Sequence, residues 1–129
     1  MTICATATQR TILVVEDQPE VLFLLSDALE MLGYRVFTAS HPSDGLAIGN
    51  EHSDEIDLVL TDVVMPEMTG PELAQRLTYR HPYLRVLYVS GHDAESLAPL
   101  GVPAEETAIL RKPFTVDTLI ERVEGALAS

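Results

Sequence analysis

From Thr11 onward, short apolar runs alternate with amphipathic stretches. Thr11 to Glu16 (TILVVE) is apolar and β-branched at its centre, as a strand buried on both faces should be. Pro19 suits a first helical turn, with Asp17 or Gln18 as cap and Glu20 near the positive helix end. Val21, Leu22, Leu25, Ala28, Leu29 and Leu32 then recur at helical spacing, and Gly33 is placed to close that helix. Arg35 to Ala39 reads as a second strand. Pro42 opens a shorter helix carrying Leu46, Ala47 and Ile48, and Gly49 to Glu55 reads as a polar loop. Asp57 to Asp62 (DLVLTD) is a third strand, apolar inside and acidic at both ends.

Val63 to Gly70 forms a loop with Pro66. Pro71 and Glu72 start a third helix, with Leu73, Ala74 and Leu77 facing inward and Pro82 ending it. Arg85 to Ser90 (RVLYVS) is a fourth strand. Between Gly91 and Thr107, Pro99, Gly101 and Pro103 forbid a long helix and leave room for a short one around Ala94 to Ala98. Ala108 to Arg111 is a short fifth strand. Thr115 then caps a final helix with Val116, Leu119, Ile120, Val123 and Leu127 on one face. Alternating strands and helices specify an α/β fold, a parallel sheet with helices on both faces and right-handed crossovers.

The 129 residues are the size of one domain, able to bury about two-thirds of its unfolded surface. Met1 to Arg10 reads as a loose leader and 11–129 as the domain. With no Trp and few aromatics, the core must be aliphatic. A net charge of -12 disfavours nucleic acid and anionic membranes as partners, and suits a metal cation or a basic protein patch. The single cysteine, Cys4, forms no internal disulfide and fits a reducing cytoplasm. No run of apolar residues reaches membrane-spanning length, and the start lacks the order of a signal peptide.

Polar residues that interrupt the strand pattern gather at strand carboxyl ends: Glu16 and Asp17, Asp62, Ser90, and Lys112 just after the fifth strand. Open parallel sheets bind ligands outside that edge. Clustered carboxylates repel unless a cation compensates. Mg²⁺ favours one or two carboxylates, waters and a phosphate, so Glu16, Asp17, Asp62 and a backbone carbonyl suit it. A carboxylate can act as a nucleophile and form an aspartyl phosphate, and Asp62 is placed for that. Lys112, the only lysine, would neutralise phosphoryl charge, and the Ser90 hydroxyl would donate a hydrogen bond. Taken singly, each acid reads more simply as a cap or loop residue, and the lysine as a solvated charge. Their coincidence at matching strand ends favours the site.

These residues resemble the receiver domain of two-component response regulators. The resemblance runs from about Thr11 to Leu127 and rests on ILVVEDQPE, LVLTDVVMPEMTGPEL, VLYVSGH and ILRKPF, in that order. It implies a flavodoxin-like, doubly wound five-stranded sheet of order 2-1-3-4-5. It also implies Asp62 as phosphoacceptor, Mg²⁺ held by Glu16, Asp17, Asp62 and the Val64 main-chain carbonyl, Ser90 as switch hydroxyl, and Lys112 as phosphate contact before a cis Pro113. The phosphodonor implied is a sensor histidine kinase or a histidine phosphotransfer protein, with an unknown downstream partner. The 129 residues hold no effector domain, so the chain acts alone through partners or belongs to a longer protein such as a hybrid kinase.

Two departures stand out. Ile109 occupies the position where such domains often carry a rotating aromatic, so that rotation is absent. The resemblance implies that Val64 and His92, two residues after Asp62 and Ser90, flank the phosphoryl group and influence its hydrolysis; Val64 cannot orient an attacking water, which predicts a long-lived phosphorylated form. His41, His52 and His81 are expected to be surface residues rather than metal ligands. The chief alternative is a phosphorylation-independent pseudo-receiver that keeps only the fold and binds proteins. A turnover enzyme such as a metal-dependent phosphatase would need a second general acid beside Asp62 and a cap over the site, neither of which the sequence offers.

Overall fold

The computed structural model describes residues 9–91, 94–103 and 105–128. In chain order the elements are β1 (Thr11–Val15), α1 (Pro19–Met31), β2 (Arg35–Ala39), α2 (Pro42–Glu51), β3 (Leu58–Asp62), α3 (Gly70–Arg80), β4 (Arg85–Ser90), α4 (Ala94–Leu97), β5 (Ile109–Arg111) and α5 (Val116–Ala128). Short 3₁₀ turns at Ala98–Leu100 and Glu106–Ala108 connect α4 to β5. The five strands form one parallel sheet ordered β2-β1-β3-β4-β5, the flavodoxin-like order. Most of the expected leader, residues 1–8, and with it Cys4, lies outside the described residues, as does His92.

The period-two alternation of strand side chains decides which helices cover which face. Ile12 and Val14 point to one side, where Leu58, Leu60, Leu87, Val89 and Leu110 meet Leu25 and Leu29 of α1 and Leu119 and Val123 of α5. Leu13, Val15 and Val59 point to the other, against Leu73 and Leu77 of α3. Because both faces are covered, β1 and β3 are buried along their whole length. That is why their sequences read as continuous apolar runs rather than alternating ones.

The expected loop at Gly49 to Glu55 starts later than the sequence implies, since α2 continues to Glu51. Gly49 serves helix packing there: a Cβ on it would lie 2.5 Å from Leu77 Cδ2. Its missing side chain admits α3. In the remaining loop, His52 stacks on Phe37 with ring centroids 4.4 Å apart and bonds Glu55 at 2.8 Å, so it is a structural residue and not a free surface one. Bonds from His52 and Arg35 hold the Glu55 carboxyl below its usual pKa. At the other end of the chain, Thr115 caps α5 as expected, its Oγ1 accepting the Thr118 N–H at 3.1 Å. The fourth helix is a single turn that runs into the Ala98–Leu100 3₁₀ turn, which Gly101 closes at a φ of 95°.

Candidate functional site

The carboxyl ends of the strands form a crevice of about 380 Å³ lined by Asp17, Gln18, Asp62, Val64, Gly91 and Lys112. The lining residues arrive from the ends of four strands, β1, β3, β4 and β5. Glu16 extends the β1 ladder, its N–H donating to the Ala39 carbonyl at 3.1 Å, and its side chain is only 1% exposed. Asp62 is the last residue of β3, paired in register with Val89 of β4. Lys112 follows β5, and its N–H donates to the Ser90 carbonyl at 2.8 Å, which locks the two switch candidates to adjacent strand ends. The Lys112–Pro113 peptide is cis, as the resemblance implies.

Two features fix Asp62 itself. Its Oδ1 accepts the Val63 N–H at 2.8 Å, which aims the second oxygen, Oδ2, toward Lys112. The following loop returns tightly against it: the Gly70 N–H donates to the Val63 carbonyl at 2.7 Å. A Cβ on Gly70 would sit 2.3 Å from the Asp62 carbonyl oxygen, so only glycine allows this return. Thr69 and Glu72 then form a reciprocal capping box at the start of α3. The T-x-x-E spacing at Thr69 was a readable signal for that cap.

Carboxylate oxygens of Glu16, Asp17 and Asp62 lie within 4.8 Å of one another, the one metal-capable cluster among the described residues. Lys112 Nζ stands 3.3 Å from Glu16 Oε1 and 3.7 Å from Asp62 Oδ2. One ammonium does not neutralise three acids. Burial pushes the Glu16 carboxyl up to about 7, and the Asp62 charge beside it adds to that rise. Asp62 is likewise raised by burial, with Lys112 opposing. Glu16 Oε1 is a buried oxygen without a hydrogen-bond partner among the described residues. A buried acceptor left unbonded is costly, and a hard divalent cation is the partner such an oxygen lacks. The residues present therefore fit Mg²⁺, with Glu16, Asp17 and Asp62 positioned to coordinate it.

Ser90 ends β4, 2% exposed, beside the crevice wall formed by Gly91. Val64 lines the crevice with its side chain half exposed. Ile109 pairs with Tyr88 across β4 and β5 and is buried in an apolar cluster with Val63, Leu97 and Val102. A branched aliphatic packed there has no rotation to perform. Gln18 is the site residue that residue patterns pointed to only as a helix cap. It stands at the N-cap position of α1 but makes no side-chain capping bond; its Oε1 instead accepts from Lys112 Nζ at 3.1 Å.

Comparison with known proteins agrees with this geometry. The family model described as the response regulator receiver domain matches residues 12–124. The response regulator receiver protein CpdR of Brucella abortus is 35% identical over 119 residues, covering 92% of this chain and 97% of the relative. Sensor kinase CckA of the same organism is 38% identical over 118 residues, 91% of this chain but only 12% of that protein. A receiver domain structure from Clostridium thermocellum superposes with a TM-score of 0.82 at 31% identity, covering 92% of this chain and 94% of that one. Sheet order, acidic cluster, lysine and sequence match thus converge, and the chain belongs to the response regulator receiver domain family, whose members are Mg²⁺-dependent phosphoacceptor signalling domains.

Proposed function

We propose that Asp62 is the residue that accepts the phosphoryl group, and that the 11–129 segment is the switching unit. The observation that carries this reading is the meeting of Glu16, Asp17, Asp62 and Lys112 around one crevice at the strand ends. In the transfer, an Asp62 carboxylate oxygen bonds to phosphorus while the bond from phosphorus to the donor's imidazole nitrogen breaks. The imidazole leaves with the electron pair and takes up a proton from solvent. Bound Mg²⁺ supplies charge neutralisation for the phosphoryl oxygens, with Glu16, Asp17, Asp62 and the Val64 main-chain carbonyl as its protein ligands. Lys112 contributes the remaining positive charge, which is most of what phosphoryl transfer asks of a protein. The Ser90 hydroxyl donates to a phosphoryl oxygen and draws the β4 end toward it.

The phosphodonor is a phosphohistidine on a sensor histidine kinase or a histidine phosphotransfer protein. Similarity to a segment of a sensor kinase and to a stand-alone receiver protein supports that pairing. No described helix is long and apolar enough to cross a membrane, and the lone cysteine supports a cytoplasmic setting. With Ile109 in place of a rotating aromatic, the signal leaves through displacement of the β4 end and the short α4 rather than through ring rotation.

The test is direct. Incubation with Mg²⁺ and acetyl phosphate should add the mass of one phosphoryl group to the native chain and none to Asp62→Asn. Equal behaviour of the two proteins removes the assignment, and absence of any adduct with a cognate phosphohistidine donor favours the pseudo-receiver alternative.

A further inference from the structure

Among the described residues, the shortest contact of the Lys112 ammonium is not to a carboxylate. Nζ lies 3.1 Å from Gln18 Oε1, 3.3 Å from Glu16 Oε1 and 3.7 Å from Asp62 Oδ2. Only the first is a hydrogen bond: Glu16 Oε1 accepts none among the described residues, its 3.3 Å approach being an ion pair, and at 3.7 Å the attraction to Asp62 is Coulombic alone. The backbone reinforces this placement. The Gln18 N–H donates to Glu16 Oε2 at 3.1 Å, so Gln18 and Glu16 are tied to each other on one wall of the crevice. Gln18 is exposed and its side chain leaves the α1 cap empty, so neither packing nor capping explains its orientation.

We propose that Gln18 is a positioning residue that holds the Lys112 ammonium on the Glu16 side of the crevice at rest and yields it to an anion that arrives on Asp62. The proposal deepens the phosphoacceptor reading and rests on it, because an anion at Asp62 is what draws the lysine across. An ammonium has three donors and a neutral amide oxygen is a modest acceptor. A phosphoryl oxygen accepts a charge-assisted bond about twice as strong. The lysine therefore moves when the group is present and returns when it is gone. The Gln18 bond lost in moving lowers the affinity for the anion by about fivefold, the equivalent of one ordinary net hydrogen bond. Gln18 thus sets the threshold of the switch without touching the phosphoryl group.

Lys112 is the only lysine of the chain, so ¹⁵N-lysine labelling gives one side-chain ammonium signal. In the metal-free resting protein, Gln18→Ala should shift that signal and speed its hydrogen exchange. Titration with beryllofluoride in Mg²⁺, a mimic of the phosphoryl group, should then show binding about fivefold tighter for Gln18→Ala. Gln18→Glu, whose charge grips the lysine harder, should bind beryllofluoride more weakly than the native protein. Opposite signs separate a tether from damage to α1, which would weaken both variants. In a Lys112→Ala background, Gln18→Ala should leave beryllofluoride affinity unchanged. An unmoved lysine signal, equal weakening in both variants, or an effect that survives loss of Lys112 overturns the tether alone. Failure of the native protein to bind beryllofluoride overturns the phosphoacceptor reading and the tether with it.

Discussion

Replacing Glu16 by Gln separates charge from shape at the most buried acid of the site. The side chain is 1% exposed, and burial raises its pKa from 4.5 to about 7. A carboxyl whose folded pKa exceeds its unfolded one binds protons more tightly in the folded state. Stability then falls as pH rises from about 4.5 through about 7, and the full penalty is present above that window. At about 1.4 kcal/mol per pH unit, the native metal-free protein carries roughly 3 kcal/mol of destabilisation at pH 8 from this one group. At pH 5 most of it is absent. Urea unfolding in EDTA at the two pH values measures the effect. Glu16→Gln should gain on the native protein by about 2–3 kcal/mol between pH 5 and pH 8. Excess Mg²⁺ should then reverse the order, because a cation that binds only the folded state stabilises it by mass action and the variant has lost a ligand. A difference between the two proteins that stays constant from pH 5 to pH 8 would refute the reasoning, since burial of charge would then not be the cost at this position.

Gly70→Ala should destabilise by about 3 kcal/mol, at the upper end for overpacking, because the intruding Cβ meets the Asp62 backbone oxygen. Gly49→Ala meets only the movable end of Leu77 and should cost less, about 1 kcal/mol; equal urea midpoints for the two variants would contradict the distinction. Val64→Asn should shorten the lifetime of the phosphorylated form, followed as loss of the phosphoryl mass after the donor is removed, and an unchanged rate counts against a role for this position in hydrolysis. Amide exchange at Ser96 to Val102 should be far faster than at Leu87, because a one-turn helix followed by a 3₁₀ turn that Gly101 ends has little cooperativity of its own. Protection there equal to that of β4 would show that packing of Leu97 alone holds the segment.

The parallel sheet was legible because a strand buried on both faces has no choice of composition: β1 and β3 must be aliphatic throughout. The strand order was not; it followed only from the family resemblance. Asp62 and Glu16 were legible for the converse reason, since a carboxylate at the end of such a run violates burial unless something compensates it. Helix ends were less so. Gly49 marks a loop in the sequence but serves a close helix contact in space, and a glycine looks the same in both roles. Gln18 illustrates a different limit. A polar residue before a helix is expected to cap it, and only the arrival of Lys112 from the far strand gives its side chain another partner. Pairings across such sequence distances leave no local pattern to read.

That Lys112 is the only lysine also bears on how the protein can be handled. Any amine-directed reagent that modifies a lysine of this chain, whether a crosslinker, a fluorescent ester or an acyl donor in the cell, must do so inside the crevice. Acylation there would erase the positive charge facing Asp62, so a protein coupled to a surface through its lysine should be blind to the signal it is meant to report.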